Sequence, residues 1–203
     1  MKEFWESRYA ETDYAYGKEP NVFLKENLGS GQTKKILLPG DGEGRNAVYA
    51  ATKGWLAHAI DQSIEAKRKA EDLAHEYSVV IKYEVADITS NPYPESEYDA
   101  AALIFVHLPV SLRQHFHRNI VRALKPVGRL ILEGFSKEHL KYNSVNPKVG
   151  GPQNADLLFS EEELLSDFSD LNIEVLSKEI VQLNEGLYHV GESAVIRLIG
   201  AKK

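Results

Sequence analysis

A short apolar run that leads into a glycine-rich turn is the most informative part of this sequence, and it reads Lys35-Ile36-Leu37-Leu38-Pro39-Gly40-Asp41-Gly42-Glu43-Gly44-Arg45-Asn46. The apolar residues predict a buried β-strand over 35–39, and the small residues after the turn predict a helix over 44–53. Glycines in such a turn permit positive φ and let a ligand approach the backbone closely. Ligands of open α/β sheets bind outside the carboxyl ends of the strands, so the turn is a candidate binding site.

Strands and helices alternate along most of the remaining chain. The further strands are predicted at 55–60, 79–86, 98–106 and 129–135, and the further helices at 63–76 and 110–124. This alternation predicts parallel βαβ units in a doubly wound α/β sheet, with helices on both faces. Two last strands, near 172–182 and 189–200, are joined through Asn184-Glu185-Gly186. We therefore expect a mostly parallel, seven-stranded sheet with an antiparallel C-terminal hairpin.

The 203 residues are expected to form one domain, 1–203, because domains commonly hold about 100–200 residues. Within it, 1–30 is predicted to be an N-terminal helical lid with short helices at 3–10 and 20–28, the second opened by Pro20. The segment 137–157 has little periodicity and contains two prolines and two adjacent glycines. A long loop of this kind is commonly functional, so we expect it to border the active site. A helix near 160–168 follows it.

Composition restricts the classes of partner. The formal net charge is −6, which disfavours nucleic acid, and the basic run Lys67-Arg68-Lys69 lies among acidic residues as on a solvated helix face. The sequence has no cysteine, which excludes disulfides, thiolate zinc sites and cysteine nucleophiles. No run approaches the roughly 18 apolar residues of a membrane span, and the N-terminus is too acidic for a signal peptide. We expect a cytoplasmic protein that is a monomer or a homodimer.

The spacing of the glycines discriminates between two kinds of nucleotide site. A dinucleotide site reads G-x-G-x-x-G, whereas here the third glycine is Gly44 and the position where that pattern requires glycine is Arg45. Asp61 lies 61 − 40 = 21 residues after Gly40, at the end of the second predicted strand, where a carboxylate can accept hydrogen bonds from ribose hydroxyls. It can equally serve as a cap near the following helix. Asp87 ends the third strand in the same way, or is an ordinary turn acid.

Together these features resemble class I S-adenosylmethionine-dependent methyltransferases. The chain is most similar to small bacterial enzymes of the tellurite-resistance type and to thiopurine-like methyltransferases, and the resemblance covers almost all of it. The stretches that carry it are Gly42–Ala47, Trp5, Tyr16-Gly17, Leu124–Leu130, Leu132–Phe135 and His189–Arg197. The chain departs from the pattern at Leu38, where many members carry an acid, and at Val127, where they carry glycine.

The resemblance implies a Rossmann-like fold, S-adenosyl-L-methionine as the methyl donor, and in-line transfer of the methyl group. In this family the Asp87-Ile88 position binds adenine and the Asp61 position binds ribose. Asp41 either holds the methionine ammonium group or marks weakened donor binding. The donor-binding residues that the resemblance implies are Tyr16, Gly40, Asp41, Gly42, Gly44, Arg45, Asn46, Asp61, Gln62, Ser63, Asp87, Ile88, Phe105 and Val106.

Methyl transfer from a sulfonium needs positioning and no protein nucleophile. Tyr9, Tyr14 and Tyr16 are expected to form a lid, since aromatic faces favour a cation. His107, after the fourth strand, is the candidate catalytic base, or else a structural histidine of the acceptor pocket. Structural roles are expected for His189 and Arg197.

No metal site is expected, because His115 and His117 point to different faces of a predicted helix and are expected at the surface. The acidic surface and the lack of a separate recognition domain favour a small-molecule acceptor. Two alternatives remain at this point: a non-catalytic methyltransferase-like S-adenosylmethionine-binding protein, and an NAD-type oxidoreductase.

Overall fold

The computed structural model describes residues 2–203, which fold around one seven-stranded sheet. The strands are β1 (Lys35–Pro39), β2 (Leu56–Asp61), β3 (Lys82–Val85), β4 (Tyr98–Ile104), β5 (Leu124–Phe135), β6 (Leu171–Glu185) and β7 (His189–Lys202). The helices are α1 (Lys2–Tyr9), α2 (Val22–Asn27), α3 (Arg45–Thr52), α4 (Ile64–Glu76), α5 (Val110–Ala123), α6 (Leu140–Asn143) and α7 (Glu161–Asp167).

The order of the strands in the sheet is β3-β2-β1-β4-β5-β7-β6. The first five are parallel neighbours, and β7 runs antiparallel to both β5 and β6. The expected α/β sheet with a C-terminal antiparallel pair is therefore confirmed. The strand order reverses between β1 and β4, so the carboxyl ends of these two strands bound the crevice in which ligands of such sheets bind.

The alternation of side chains along β1 divides the core into two layers. Leu37 packs on one face of the sheet, against Phe116 and Ile120 of α5. Its neighbours Ile36 and Leu38 point to the other face, against side chains of α2 and α3. Successive strand residues face opposite ways, and here both faces are covered, which explains why the central strands are apolar throughout.

Several predicted boundaries were wrong, each for a local reason. Pro20 does not open α2, because Asn21 is the N-cap and its side chain accepts from the Leu24 amide. β3 starts at Lys82 rather than at 79, because the chain leaves α4 through Ser78 at a positive φ of 53°. β5 starts at Leu124 rather than at 129 because it pairs with Tyr98 across a register shift.

The segment 137–157 is not a structureless loop. It contains 3₁₀ turns at Lys137–His139, Pro147–Val149 and Ala155–Leu157 and the short helix α6. Asn146 and Asn154 start two of these turns by accepting hydrogen bonds from the Lys148 and Asp156 amides, respectively. Asparagine favours such turns, a local signal that the periodicity analysis did not use.

None of the helices within residues 2–203 combines the length and the apolar composition that a membrane crossing requires. His115 is exposed on α5, as expected, but His117 is buried and its Nδ1 lies 2.9 Å from Asp167 Oδ2. The expectation that both histidines lie at the surface was therefore wrong for His117, because α7 covers that face of α5.

Candidate functional site

A cavity of about 540 Å³ opens at the carboxyl ends of β1, β2 and β4, a volume within the range of small-molecule sites. It extends from the glycine turn on one side to residues 143–157, the later part of the segment 137–157, on the other. Most of the predicted donor residues and the candidate base line it: Tyr16, Gly40, Asp41, Gly42, Arg45, Asn46, Asp61, Gln62, Asp87, Ile88, Phe105, Val106 and His107.

Two predicted donor residues, Gly44 and Ser63, are not among the residues that line the cavity. Gly44 starts α3 at a φ of 85°, and a Cβ there would lie 2.4 Å from the Ala70 Cβ of α4. Ser63 is fully buried and caps α4 by accepting from the Ala66 amide at 3.1 Å. Gly44 therefore serves helix packing and Ser63 serves helix capping, and contact of either residue with the donor stays a prediction.

Asp41 lies in the cavity wall, at the start of α3. Its Oδ2 accepts from the Ala47 amide at 3.1 Å, which satisfies one of the free N–H groups of the helix. Burial raises the pKa of Asp41 to about 7. A ligand cation beside Asp41 would supply the partner that favours the ionised form.

Asp61 ends β2 and is held by two backbone amides. Oδ2 accepts from Gly42 at 3.2 Å and Oδ1 accepts from Ser63 at 3.1 Å. Burial raises its pKa to about 6, against the lowering effect of these amides. Ser63, and not Asp61, caps α4, while Asp61 holds the Gly42 amide of the glycine turn. Asp61 also lines the cavity, where its contact with a ribose stays a prediction.

Asp87 and Ile88 line the cavity beyond β3. Asp87 Oδ1 accepts from both the amide and the hydroxyl of Thr89, at 2.9 and 2.8 Å. Its other carboxylate oxygen accepts no hydrogen bond from residues 2–203 and is open to an amino group. Ile88 supplies an apolar surface beside it, so this end of the cavity can hold a planar ring that carries an exocyclic donor.

Arg45 and Asn46 border the cavity, but their polar atoms bind the protein itself. Arg45 Nη1 donates to the Tyr16 carbonyl at 3.2 Å and Nη2 forms a buried ion pair with Glu185 at 2.9 Å. Asn46 Oδ1 accepts from the Asn21 amide at 3.0 Å. Arg45 and Asn46 thus attach the N-terminal segment to the glycine turn and, through Glu185, to the sheet.

The geometry argues against His107 as a catalytic base. Its Nδ1 donates to the Leu157 carbonyl at 2.8 Å, and its Nε2 accepts from the Phe135 amide at 3.1 Å. Burial lowers the pKa of the ring to about 4. With both nitrogens bound to backbone groups, His107 connects the segment 143–157 to β5 and forms a wall of the cavity.

The tyrosine lid was only partly correctly predicted. Tyr9 and Tyr16 line the cavity, whereas the Tyr14 hydroxyl donates to the Lys69 carbonyl and its ring packs beside α4, outside the cavity. Trp5 stacks on Tyr9 with a centroid separation of 5.6 Å. The aromatic side chains that the N-terminal segment contributes to the cavity are therefore those of α1 and Tyr16.

Sequence reasoning missed the part of the cavity that the hairpin turn supplies. Tyr188 and His189 line it, together with Asn143, Gly150 and Gly151 from the segment 137–157. His189 Nδ1 lies 3.1 Å from Glu185 Oε2. The (i, i+4) spacing of Glu185 and His189 across a glycine turn was the available signal, but a hairpin register alone does not indicate that its tip reaches a cavity.

Known proteins resemble this chain in sequence and in fold. Residues 37–132 match the family model described as a methyltransferase domain. The 2-heptyl-1-hydroxyquinolin-4(1H)-one methyltransferase of Mycobacteroides abscessus is 28% identical over 120 residues, which cover 58% of this chain and 51% of that protein. The matched part thus spans about half the length of this relative.

Two solved structures show the same fold. A SAM-dependent methyltransferase of Methanosarcina mazei superposes with a TM-score of 0.72 at 20% identity, over 91% of this chain and 98% of that one. TehB of Haemophilus influenzae gives a TM-score of 0.67 at 18% identity, over 84% and 58% of the two chains. These two structures confirm the Rossmann-like fold, and the matching family model confirms the resemblance to methyltransferases.

The matches imply S-adenosylmethionine as the cofactor, and the residues present fit its chemistry. Asp41 offers a carboxylate for an ammonium group, Asp61 one for hydroxyl groups, and Asp87 one for an amino group on a flat ring. Within the described chain neither Asp41 nor Asp61 forms an ion pair, and burial raises the pKa of each. The cavity therefore holds carboxyl groups that a cationic, hydroxyl-bearing ligand would satisfy.

Proposed function

We propose that this chain, whose residues 37–132 match the methyltransferase domain model, transfers a methyl group from S-adenosylmethionine to a small-molecule acceptor by in-line displacement. The observation that carries the proposal is the row of Asp41, Asp61 and Asp87 along one side of the cavity, at the ends of three consecutive strands. When bound, the donor supplies a methyl group on a positively charged sulfur. The residues of the chain hold it, exclude water and orient the acceptor.

The other side of the cavity supports a compact, largely apolar acceptor. Phe105 and Phe135 are in contact, with ring centroids 4.6 Å apart, and both line the cavity, as Leu157 does. Flat aromatic walls favour stacking with a planar ring. The relative from Mycobacteroides abscessus is named for such an acceptor, which agrees with this interpretation.

The first test is calorimetric titration with S-adenosylhomocysteine. We expect binding to the wild-type chain, and Asp61→Ala should weaken it by about 1.5–3 kcal/mol, because charge-assisted hydrogen bonds to the ribose are lost. Asp72→Ala removes an exposed carboxylate of α4 and is the matched control, with unchanged affinity. Unaltered affinity in the Asp61 variant would show that the ribose is held elsewhere.

The second test is methyl transfer to a panel of aromatic hydroxyl, amine and thiol compounds, followed by mass spectrometry. Donor binding without transfer to any of them would support the non-catalytic alternative. Binding of NADH but not of S-adenosylhomocysteine would instead support the oxidoreductase, which the position of Arg45 disfavours.

A further inference from the structure

His189 is a buried histidine with one nitrogen bound and the other open. It is the first residue of β7 and its side chain is 6% exposed. Nδ1 donates to Glu185 Oε2 at 3.1 Å, whereas Nε2 has no hydrogen-bond partner among residues 2–203. The ring lines the cavity, so the open nitrogen is the one available to a bound molecule.

Glu185 fixes which nitrogen carries the proton. Its Oε2 accepts from His189 and also pairs with Arg45 Nη2 at 2.9 Å, and its Oε1 accepts from Asn21 Nδ2 at 3.2 Å. The Arg45 guanidinium and the His189 hydrogen bond lower the pKa of Glu185 to about 2, against the effect of burial. A permanent carboxylate at Nδ1 requires a proton there and leaves the lone pair on Nε2, facing the cavity.

The His189 ring contacts three aromatic side chains of the cavity, so its free Nε2 lies among the rings proposed to hold the acceptor. The His189 ring lies 4.5 Å from both the Tyr16 and the Phe105 ring centroids, and edge-on to Phe135 at 5.3 Å. Phe105 follows β4 and lines the cavity beside His189 and Phe135. Gly150 keeps the open edge accessible, because a Cβ at that position would lie 2.9 Å from His189 Cδ2 and 3.4 Å from Nε2.

We infer that His189 is the general base of this site, oriented by Glu185 and Arg45, and that the acceptor is an aromatic compound methylated on a hydroxyl group. The inference rests on the proposed methyl transfer. Nε2 takes the hydroxyl proton while the oxygen forms its bond to the methyl carbon and the carbon–sulfur bond breaks. The electron pair of that bond stays on sulfur, which becomes a neutral thioether. His189 then releases its proton to solvent.

The charge environment keeps the base neutral at neutral pH. The titratable and charged side chains around the ring are Glu185, Arg45, Arg8, Tyr16, Tyr188, His107 and His139. Burial, Arg45 and Arg8 lower the pKa of His189, and the Glu185 carboxylate raises it by a smaller amount. The rate constant for a hydroxyl acceptor should therefore fall only below neutral pH, where Nε2 gains a proton.

The test compares His189→Asn with wild type on acceptors that differ in acidity. Asparagine can still donate to Glu185 but lacks an atom at Nε2. For a phenol with a pKa of about 10 we expect kcat to fall by about 10²–10⁴-fold, the usual range for general base catalysis. For a nitrophenol or a thiophenol that is already ionised at the assay pH, the fall should be less than about tenfold, because no proton has to be removed.

The control and the second readout separate a catalytic role from a structural one. His115→Asn changes an exposed histidine of α5 and should leave every acceptor unaffected. S-adenosylhomocysteine affinity should be the same in His189→Asn as in wild type. Nitrogen NMR of the wild-type ring should show a proton on Nδ1 and none on Nε2.

Equal losses for ionised and neutral acceptors, or a proton on Nε2, would overturn the assignment of His189 as the base. Transfer by the wild type to thiols alone would overturn the hydroxyl acceptor. Failure to bind S-adenosylhomocysteine would instead refute the proposed function itself.

Discussion

At the scale of single residues, the site is defined by carboxyl groups placed where burial opposes their charge. Asp41 and Asp61 lie at the ends of neighbouring parallel strands, and their pKa values are raised to about 7 and about 6. The binding of a cationic ligand is therefore coupled to the ionisation of these two carboxyl groups. The donor's ammonium favours the ionised Asp41, so binding releases a proton wherever Asp41 is still protonated.

This coupling predicts a pH dependence of donor affinity. S-adenosylhomocysteine should bind about twentyfold more weakly at pH 6 than at pH 8, because protonation of Asp41, with a pKa of about 7, contributes about tenfold and protonation of Asp61, with a pKa of about 6, contributes about twofold. Asp41→Asn keeps an acceptor for the Ala47 amide but has no charge. It should bind more weakly at pH 8 and change only about twofold between the two pH values, the remainder coming from Asp61. Calorimetry at both pH values measures this, and an identical pH dependence in the variant would rule out Asp41 as the coupled group.

At the scale of elements, the glycine turn serves both packing and binding. Gly42 borders the cavity, whereas Gly44 lets α3 pack closely on Ala70 of α4. Both glycines were expected at the donor, because a glycine pattern does not distinguish backbone that lies against a ligand from backbone that lies against a helix. The same limit applies to His107, whose position after β4 was predicted but whose two backbone partners come from β5 and from residue 157.

Gly44→Ala should therefore lower the free energy of unfolding by about 2–5 kcal/mol, the sum of an unfavourable positive φ and an overpacked contact. Gly29→Ala is the matched control, because Gly29 also has a positive φ, 64°, but nothing lies within 4 Å of its added Cβ. Gly29→Ala should lower the free energy of unfolding by about 1 kcal/mol, the penalty for the positive φ alone. Urea denaturation of the two variants checks the difference, and equal losses would show that the Ala70 contact relaxes without cost.

At the scale of the whole molecule, a buried polar network holds the N-terminal segment over the sheet. Asn21 Nδ2 donates to Glu133 at 2.6 Å and to Glu185 at 3.2 Å. Arg197 pairs with Glu133 at 2.6 Å, which is the structural role expected for this arginine. The tip of the hairpin meets the same segment, where the Leu187 amide donates to the Ala15 carbonyl. One cluster thus connects α2, β5, β6 and the wall of the cavity.

Replacing Asn21 by aspartate tests this connection. Aspartate keeps the N-cap acceptor but cannot donate, and it adds a third carboxylate beside Glu133 and Glu185. We expect Asn21→Asp to be less stable than Asn21→Ala at pH 7 by more than about 1 kcal/mol, although alanine also loses the cap. The gap should narrow at pH 5, because burial already raises the pKa of Glu133 and its protonation would relieve the repulsion. Urea denaturation at pH 7 and pH 5 measures the difference in the free energy of unfolding between the two variants. If this difference is the same at both pH values, charge repulsion is excluded as its cause.

The sequence by itself determined the sheet, the order of its elements and the carboxylates at the strand ends. These follow from local periodicity and from the rule that parallel strands end at one edge, and both are properties of short segments. Tertiary structure decided which of these residues face the cavity. It placed Gly44 in helix packing and Ser63 in helix capping, and it bound both nitrogens of His107 to backbone groups. It also brought Glu185 and His189 of the hairpin beside Arg45 of the glycine turn, 140 residues before Glu185 in the sequence. Such choices depend on contacts between distant segments, which no local pattern encodes.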